Sequence, residues 1–388
     1  MNFQKKIKIL FRHRSMEMGG VEKVMLSVIN NLNPEKFEIS VCLNINQGEL
    51  RNEFPHHIRK FFLAKGSEDF SKNPILKKIQ LLIRRKKLNH LRKNPEIIDR
   101  KYLQESYDVE IGMTYNDFES VINSSNKNSK KIGWFHSEIN LPKLQPLVPK
   151  ILEQFPLFDH MIYCSENIKN MMHKEYPALQ YPEESVIINA IPIEEIKKKS
   201  LEQISDFPSK KIPTFISIGR LHTRKGYHKL IEAHAQLIEQ GFNHEIIILG
   251  EGEEKANLQN QIKEANAETS FHLLGNKMNP YPYLKNADFF IMSSESEAWP
   301  LVIAEAMILQ KPIIATNTGD VSKMIKHQET GYLIDYDTNK MYKAMKKFLT
   351  EPGFVENIKG NLIDIEKEFD NKKIFDAVEN ILTNLEKK

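Results

Sequence analysis

Two positively charged side chains lie in one short loop of the sequence that is flanked by glycines. Arg220 and Lys225 belong to the segment GRLHTRKG, which starts at Gly219 and directly follows the apolar run TFISI. Glycine lets the backbone approach an anion closely, and a helix that begins after the loop adds a favourable dipole. Arg grips phosphate oxygens in pairs, whereas Lys acts as a movable point charge. The loop therefore favours a phosphate site, with a solvated basic loop as the alternative.

A pair of acidic residues follows in the segment SESEAWPLVIAEAM, where Glu297 and Glu305 are eight positions apart. Pro300 suits the first turn of a helix, so Glu297 falls in the preceding loop and Glu305 more than a turn inside the helix. The first N–H groups of this helix, at Leu301 and Val302, are free to point at an anion. In such an arrangement, one carboxylate can contact a sugar while the other accepts hydrogen bonds from ribose hydroxyls. The alternative is a pair of solvated acids, which the apolar surroundings of Glu305 disfavour.

These side chains must be positioned by two series of alternating strands and helices. Strands are predicted at 7–11, 37–43, 109–113, 131–135 and 161–164 and, in the second series, at 214–218, 245–249, 270–274, 287–292, 312–316 and 331–334. Alternating strands and helices of this kind form parallel sheets with helices on both faces. The predicted fold class is α/β, with two doubly wound, Rossmann-like domains that face a central cleft.

The length of 388 residues also favours two domains, because it is too long for one ordinary core. The predicted N-terminal domain covers residues 1–190. A charged segment with three prolines, residues 191–213, is predicted to be the linker. The second domain then covers residues 214–365. A helical tail, residues 366–388, is expected to pack back on the N-terminal domain.

Positive charge is concentrated in one stretch of the chain. The whole sequence has a net charge of +4, but residues 72–101 hold eleven Lys or Arg and two acidic residues, a local net charge of +9. Within it, 74–93 has the pattern of a basic amphipathic helix, which is typical of helices that lie on an anionic membrane surface. The alternative is a helix packed on its own domain with a solvated basic side. A nucleic-acid partner is not expected, because the stretch lacks interleaved aromatic residues.

Several further patterns bear on compartment and cofactors. Cys42 and Cys164 are too few for a disulfide framework and lie in apolar runs, which favours buried thiols in a reducing compartment. The sequence has no signal-peptide pattern and no run of 18 apolar residues. The predicted location is therefore the cytoplasm, with peripheral contact at the inner face of the membrane. No metal-ligand motif is present, and Gly250-Glu251-Gly252 lacks the third glycine of a dinucleotide fingerprint.

The order of motifs in the second half resembles the donor domain of GT-B glycosyltransferases of family 4. The segments that carry the resemblance are GRLHTRKG, LGEGEEKANL, LLGNKM, ESEAWPLVIAEAM, PIIATNTGDVSKMI and TGYLI, within Phe215–Asp335. The first half is similar more weakly, through MGGVEKVMLSVINNL, IGWFHSE, YCSENIK and VIINAI. The resemblance covers most of the chain. It implies an acceptor-binding N-terminal domain and a C-terminal domain that binds a nucleotide sugar.

The resemblance also implies a role for individual positions. Arg220 and Lys225 match the cations that hold the donor diphosphate, Glu297 the carboxylate near the donor sugar, and Glu305 the one on the ribose. We therefore expect Glu297, Arg220, Lys225 and the cleft histidine His136 to act in catalysis. The remaining expected donor-binding positions are Gly19, Gly20, Gly219, Gly250, Leu301 and Val302, and Asn189 matches the asparagine before the linker. Taken by itself, a lone histidine such as His136 more often has a structural hydrogen-bonding role.

Two positions depart from the family pattern. Ala298 stands where the family usually has glycine, and Asp320 where a second glycine often follows Gly319. Both are expected near the sugar, so they bear on donor identity more than on reaction class.

The prediction is a retaining glycosyltransferase that moves a hexosyl or N-acetylhexosaminyl unit from a nucleotide sugar to a glycan or polyprenyl-linked acceptor. Retention and the role in cell-surface polysaccharide synthesis are implied by the resemblance. No cofactor or metal is expected, because Arg220, Lys225 and the helix N-termini can hold the charge of the leaving diphosphate. Three alternatives stay open: an epimerase or a phosphorylase-like enzyme on the same fold, and a non-catalytic nucleotide-sugar-binding partner of a glycan-assembly complex.

Overall fold

A computed structural model describes residues 5–142, 144–208 and 212–387. The chain divides into two compact units. One comprises the residues up to Ala190 together with those from Asn371 onwards, and the other comprises Ile191–Asp370.

In the described residues of the first unit, seven parallel strands form one sheet in the order β3-β2-β1-β4-β5-β6-β7. The strands are β1 (Ile7–His13), β2 (Phe37–Asn46), β3 (Arg59–Lys65), β4 (Val109–Gly112), β5 (Lys130–Phe135), β6 (His160–Tyr163) and β7 (Glu183–Val186). The helices between them are α1 (Gly20–Asn31), α2 (Pro74–Lys93), α3 (Pro95–Ile98), α4 (Tyr115–Ile122), α5 (Val148–Gln154) and α6 (Glu166–Glu175). The central strands are buried on both faces, as parallel strands covered by helices require.

Over the described part of the second unit, six parallel strands form a sheet in the order β10-β9-β8-β11-β12-β13. They are β8 (Thr214–Ile218), β9 (Glu245–Leu249), β10 (Phe271–Leu273), β11 (Phe289–Met292), β12 (Ile313–Thr316) and β13 (Tyr332–Ile334). The helices are α7 (Ile193–Lys199), α8 (Tyr227–Glu239), α9 (Lys255–Glu264), α10 (Tyr281–Asn286), α11 (Leu301–Ile308), α12 (Val321–Met324), α13 (Thr338–Thr350) and α14 (Pro352–Asn361). The carboxyl ends of β8, β11 and β12 are neighbours, so the loops that follow them meet.

Part of the segment predicted as a linker is folded into the second unit. It contains α7, and the side chains of Ile191 and Ile196 are buried in the second unit's core. Residues 209–211 of that segment lie outside the described residues. The two apolar side chains explain the difference, because proline and charge mark a break in the pattern without excluding one short amphipathic helix.

The C-terminal helix α15 (Asn371–Glu386) belongs to the first unit. The carboxylate of Glu379 accepts hydrogen bonds from the backbone N–H of Asn33 at 2.8 Å and from the Lys36 ammonium at 2.7 Å. Val378, Leu382 and Leu385 form its buried stripe, spaced at three and four residues.

A histidine pair is buried in the second unit. His234 Nδ1 lies 2.8 Å from His244 Nε2, and His234 Nε2 lies 2.8 Å from the hydroxyl of Ser270. Burial, together with the charges of His244 and His272, lowers the pKa of His234 to about 3. Burial also lowers the pKa of His244. The folded state therefore requires neutral imidazoles at this place.

We expect the second unit to lose stability as the pH falls below the ordinary histidine pKa of about 6.5. The unfolded chain then binds protons that folded His234 does not, so stability is fully present above that pKa and declines below it. Between pH 7.5 and 5.5, one such histidine contributes a loss of about 1.4 kcal/mol. Urea unfolding of the wild type and of His234→Leu at both pH values checks this. The variant should show the smaller pH dependence, and equal pH dependence in the two proteins would contradict the assignment.

Candidate functional site

The glycine-flanked basic loop begins where β8 ends and leads into α8. A single 3-10 turn, Thr223–Lys225, precedes Gly226, which has a positive φ of 67°. A side chain at Gly226 would overlap the carbonyl oxygen of Ser293, directly after β11. The loop can therefore lie against the end of β11 only because this position is glycine.

Lys225 and Glu297 form an ion pair across these two loops. The Lys225 ammonium lies 2.5 Å from Glu297 Oε1, which also accepts a hydrogen bond of 2.7 Å from the Ser294 hydroxyl. The side chains are only 15% and 11% exposed. Burial alone would raise the pKa of Glu297, but the charges of Lys225 and Arg224 and the Ser294 hydrogen bond hold that pKa below its ordinary value. The Glu297 carboxylate is therefore ionised, and solvent screens its charge only in part.

The loop that carries Glu297 is fixed by the loop after β12. Gly319 has a positive φ of 56°, and a Cβ there would overlap the carbonyl oxygen of Glu297. The next residue, Asp320, donates its N–H to the carbonyl of Ala298 at 3.1 Å. The hydroxyl of Thr316 donates to the Ser294 carbonyl at 2.5 Å. Contacts from the end of β12 and from the loop after it thus set the position of the Glu297 loop.

Two arginines accompany Lys225 in the basic loop. Arg220 is exposed, and its side chain makes no hydrogen bond or ion pair with the residues that the structure describes. Arg224 is half-buried and lies close enough to lower the pKa of Glu297. Its backbone carbonyl accepts the N–H of Glu295 at 2.7 Å. Arg224 was not among the residues predicted from the sequence, although it lies in the same motif as Arg220 and Lys225.

The second carboxylate, Glu305, lies one turn inside α11, the helix that begins at Leu301 after Pro300. It is only 2% exposed, and its Oε1 accepts a hydrogen bond of 3.2 Å from the Tyr281 hydroxyl. Burial and the charge of Glu305 raise the pKa of Tyr281, so the phenol stays a donor. The structure thus places Glu297 against Lys225 and gives Glu305 a contact on α10.

Four other predicted donor-binding positions of the second unit also lie beside this site. Gly219 donates its N–H to the Leu249 carbonyl, and Gly250 donates its N–H to the Gly275 carbonyl. Both glycines therefore extend the parallel hydrogen-bonding pattern just beyond the carboxyl ends of β8 and β9. A Cβ on Gly219 would come within 3.3 Å of the Lys225 ammonium. Val302 and Leu301 occupy the first turn of α11, where the backbone N–H groups have no partner within the helix.

The predicted residues of the first unit lie at the carboxyl ends of β1 and β5. His136 directly follows β5 and stacks on Trp134, with ring centroids 5.8 Å apart. Burial and the nearby charge of His13 lower the pKa of His136 to about 3, so this imidazole is neutral. Gly19 and Gly20 begin α1. The carboxylate of Glu22 occupies the space that a Cβ on Gly19 would take, so a phosphate could approach Gly19 only after Glu22 moves.

Asn189 is 7% exposed and follows β7 at the end of the first unit. The structure also brings together two residues that were not predicted from the sequence. His13, at the end of β1, lies 2.9 Å from the carboxylate of Asp117 in α4. Each is isolated in its sequence segment, so no local pattern could have paired them.

Two observations on the described residues concern metal binding and membrane crossing. Residues 5–142, 144–208 and 212–387 contain no group of three or more His, Cys, Asp or Glu placed to hold a metal ion. Asp337, in the DYD triplet after β13, instead accepts the N–H of Lys340 and caps α13. In the same described ranges, no helix is both long and apolar enough to cross a membrane.

Comparison with known proteins gives a fold class for these features and a family match for part of the chain. The solved structure of HepE from Anabaena in complex with UDP and glucose has a TM-score of 0.75 at 18% identity, covering 97% of this chain and 99% of that chain. WaaG, a glycosyltransferase involved in lipopolysaccharide biosynthesis, gives a TM-score of 0.71 at 13% identity over 97% and 99% of the two chains. The chain therefore has the GT-B fold, built from two Rossmann-like units.

The family model described as glycosyl transferases group 1 matches residues 198–363. An N-acetylgalactosamine-N,N'-diacetylbacillosaminyl-diphospho-undecaprenol 4-alpha-N-acetylgalactosaminyltransferase from Campylobacter jejuni is 28% identical over 241 residues, 55% of this chain. The match spans 64% of that relative, less than two thirds of its length. Most of the second unit is therefore similar to group 1 glycosyl transferases, and the chain resembles bacterial cell-surface glycosyltransferases.

Proposed function

We propose that the chain is a retaining glycosyltransferase that moves a hexosyl or N-acetylhexosaminyl unit from a nucleotide sugar to a glycan or lipid-linked acceptor. The observation that carries the proposal is the largely buried ion pair of Lys225 and Glu297 beside two arginines, within the segment that matches the group 1 glycosyl transferase family. A transferase of this kind must stabilise a departing diphosphate and a positively charged sugar at once. Cations and a carboxylate held side by side meet both needs.

In the proposed reaction, the bond between the sugar and the donor diphosphate breaks, and negative charge grows on the leaving phosphate. Lys225 would shift its ammonium from Glu297 toward that phosphate, with Arg220 binding it from the exposed side. The first N–H groups of α11, at Leu301 and Val302, would add their dipole. Because these groups neutralise the leaving group, the proposal needs no metal ion, and we expect transfer to persist in EDTA.

The two carboxylates have separate proposed tasks. Glu297, freed from Lys225, would stabilise positive charge on the sugar, and Glu305 would accept the ribose hydroxyls of the nucleotide. The hydrogen bond from Tyr281 keeps Glu305 oriented in α11. Ala298 and Asp320, which adjoin Glu297 and Gly319, would bear on which sugar is accepted. In the first unit, His136 would contact the donor sugar as a neutral imidazole.

The relatives suggest the substrate classes. The Campylobacter jejuni protein is named for transfer of N-acetylgalactosamine to a diphospho-undecaprenol-linked sugar, and Anabaena HepE is described in complex with UDP and glucose. The Staphylococcus aureus relative CapM is a capsular polysaccharide biosynthesis glycosyltransferase, 23% identical over 171 residues. We therefore propose a UDP-sugar donor and a polyprenyl-linked acceptor in cell-surface polysaccharide synthesis.

A lipid-linked acceptor would bring the chain to a membrane, and α2 suits that surface. Asn73 caps this helix by accepting the N–H groups of Ile75 and Leu76. Of the helix's residues, all within the described part, Leu91 is the one that is buried. Ile75, Leu82 and Ile83 are 70%, 59% and 61% exposed, and basic residues surround them. We propose that α2 lies on the anionic inner face of the cytoplasmic membrane, with the rest of the chain in the cytoplasm.

We expect charge reversal on α2 to weaken binding to anionic vesicles. Arg85 and Lys86 are exposed, whereas Arg84 contacts Gln47 and the Phe70 ring and is left in place. Each cation near such a surface contributes about 1 kcal/mol, so Arg85→Glu with Lys86→Glu should lower vesicle affinity about 30-fold or more. Sedimentation with phosphatidylglycerol vesicles measures this.

The matched control reverses two exposed lysines of α13 in the second unit, Lys340 and Lys343, with the same change in net charge. This control should keep most of the vesicle affinity. Equal losses in the two double variants would mean that only net charge matters, and no loss in either would remove the membrane proposal.

One experiment tests the proposed function as a whole. UDP-, GDP- and ADP-sugars are compared in a thermal-shift assay, and the donors that stabilise the chain are then incubated with octyl glycosides and with polyprenyl-diphosphate-linked sugars. The proposal expects at least one donor to stabilise the fold and to give a glycosylated product. Interconversion of the donor sugar without any acceptor would indicate an epimerase. Stabilisation without transfer to any acceptor would indicate a non-catalytic partner of a glycan-assembly complex.

A further inference from the structure

Four polar side chains meet at one edge of the first sheet. His13 ends β1, Glu22 lies in the first turn of α1, Asp117 lies in the first turn of α4, and His136 follows β5. The strands β1, β4 and β5 are consecutive in this sheet, so their carboxyl ends adjoin. We call these residues the His13 cluster. Apart from His136, none of them has a role in the proposed reaction so far.

Asp117 holds His13 in one orientation. His13 Nδ1 lies 2.9 Å from Asp117 Oδ2, which also accepts a hydrogen bond of 2.7 Å from the Thr114 hydroxyl. His13 is 4% exposed and Asp117 is fully buried. A carboxylate on Nδ1 fixes the ring plane and directs Nε2 to the opposite side.

The other nitrogen of His13 is not well satisfied. His13 Nε2 lies 3.5 Å from Glu22 Oε1, which is ion-pair distance but too long for a good hydrogen bond. Nε2 of His136 is also buried, with no hydrogen-bond partner among the described residues. Buried polar atoms normally have a hydrogen-bond partner, so two poorly satisfied nitrogens at one place indicate that a hydrogen-bonding group is missing there.

The charges of the His13 cluster select the kind of group it can take. Burial opposes a charged imidazole, but Asp117 and Glu22 raise the pKa of His13 to about 10, so the ring carries a proton. His136 beside it is neutral. One imidazolium and two carboxylates give the cluster a net negative charge, which disfavours the binding of a phosphate group there. An acid and a base side by side instead suit a hydroxyl group, which both donates and accepts.

We propose that His13 and Glu22 bind a hydroxyl group of the sugar acceptor, and that Asp117 is the positioning residue for His13. The Nε2–H of His13 would donate to the hydroxyl oxygen, and the Glu22 carboxylate would accept the hydroxyl proton in a hydrogen bond. Glu22 has room to swing, because its side chain is 17% exposed at the start of α1. Glycine at position 19 leaves the space in which this carboxylate lies. The inference rests on the proposed glycosyltransferase function.

The test separates the acceptor from the donor. His13→Gln, Asp117→Asn and Glu22→Gln are compared with the wild type, using the best donor from the thermal-shift panel. The acceptor is the octyl glycoside of glucose, galactose, N-acetylglucosamine or N-acetylgalactosamine that wild type glycosylates fastest. We expect His13→Gln and Glu22→Gln to raise the acceptor KM at least about 10-fold while the donor KM changes less than about 2-fold. Asp117→Asn should raise the acceptor KM and shift the pH profile, because it removes the charge that keeps His13 protonated.

A buried histidine outside the cluster is the matched control. His160 begins β6, is 6% exposed, and its Nε2 lies 3.0 Å from the Ser185 hydroxyl. His160→Gln removes a comparable buried imidazole and should leave the ratio of acceptor to donor KM unchanged. Glu22→Gln keeps the proposal testable if His13→Gln fails to fold, because Glu22 is partly exposed.

The outcomes distinguish this inference from the proposed function. If wild type transfers sugar but Glu22→Gln and folded His13→Gln keep its acceptor KM, the hydroxyl site is wrong. A rise in donor KM alone would assign the cluster to the donor and would also overturn it. An equal rise with His160→Gln would reduce the cluster to a structural role. Absence of transfer by wild type would instead defeat the proposed function.

Discussion

Lys225→Ala should lower kcat/KM for sugar transfer about 100- to 1000-fold. Removing one preorganised group that stabilises charge in a transition state has an effect of this size. Lys225 is 15% exposed and touches the carboxylate of Glu297, so both members of the pair should respond. Steady-state kinetics with the best donor and acceptor measure the loss.

The loss of transfer activity should depend on both members of the ion pair and not on Lys225 alone. Without Lys225, the largely buried carboxylate of Glu297 has no ammonium beside it, and leaving one charge of such a pair unpaired is destabilising. Lys225→Ala with Glu297→Gln should therefore be more stable than Lys225→Ala alone, while remaining inactive. A double-mutant cycle on the melting temperature and on kcat/KM reports both effects.

Lys255→Ala is the matched control for this prediction. Lys255 also pairs with a glutamate, Glu251, at 2.8 Å in the same unit, but the two side chains are 40% and 42% exposed. An exposed pair contributes little to stability, and Lys255 has no proposed task. Wild-type kinetics are expected for Lys255→Ala. Near-normal transfer by Lys225→Ala as well would refute the site.

Gly319→Ala should abolish most transfer without touching any charged group. A Cβ at this position would overlap the carbonyl oxygen of Glu297, and the positive φ of 56° already disfavours any other residue. The loop of Glu297 must move to admit the methyl group, and a displacement of about 1 Å in a catalytic group lowers the rate about 100-fold. Kinetics and a melting curve on the same variant separate the displaced carboxylate from general unfolding.

Gly241→Ala measures how much stability is lost when a positive φ alone is occupied by alanine. Gly241 follows α8 with a φ of 85°, and a Cβ there would meet nothing within 4 Å. This variant should lose about 1 kcal/mol of stability and keep its kinetics. Gly319→Ala should lose more stability and also its activity. Equal behaviour of the two variants would show that contact with Glu297 is unimportant.

Much of the fold followed from periodicity. The apolar runs that became β8, β9 and β11 are short and continuous, which is typical of strands buried on both faces. β3 and β7 were not predicted, because they lie at the two edges of their sheet and carry several charged residues. α7 was not predicted for a related reason, since its lysines and glutamates outnumber its two isoleucines, of which Ile196 is buried.

The second unit's site was predictable as a set of residues but not as a set of contacts. Glycine, arginine and lysine in one loop indicate an anion site, and the spacing of Glu297 and Glu305 places them around a helix start. That Lys225 contacts Glu297 depends on β8 and β11 being neighbours in the sheet, which no local pattern reveals. The pairing of His13 with Asp117 has the same origin, because β1 and β4 adjoin although about a hundred residues separate the two side chains.

The most direct test is a calorimetric measurement of nucleotide binding to wild type and to Lys225→Ala. The two ligands are the nucleoside diphosphate that best stabilises the chain and the corresponding monophosphate. Wild type should bind the diphosphate at least about 10-fold more tightly, because the second phosphate meets the basic loop. Lys225→Ala should lose most of that preference and still bind the monophosphate. If Lys225→Ala keeps the full preference for the diphosphate, the basic loop does not hold the donor pyrophosphate, and the account of the site is wrong.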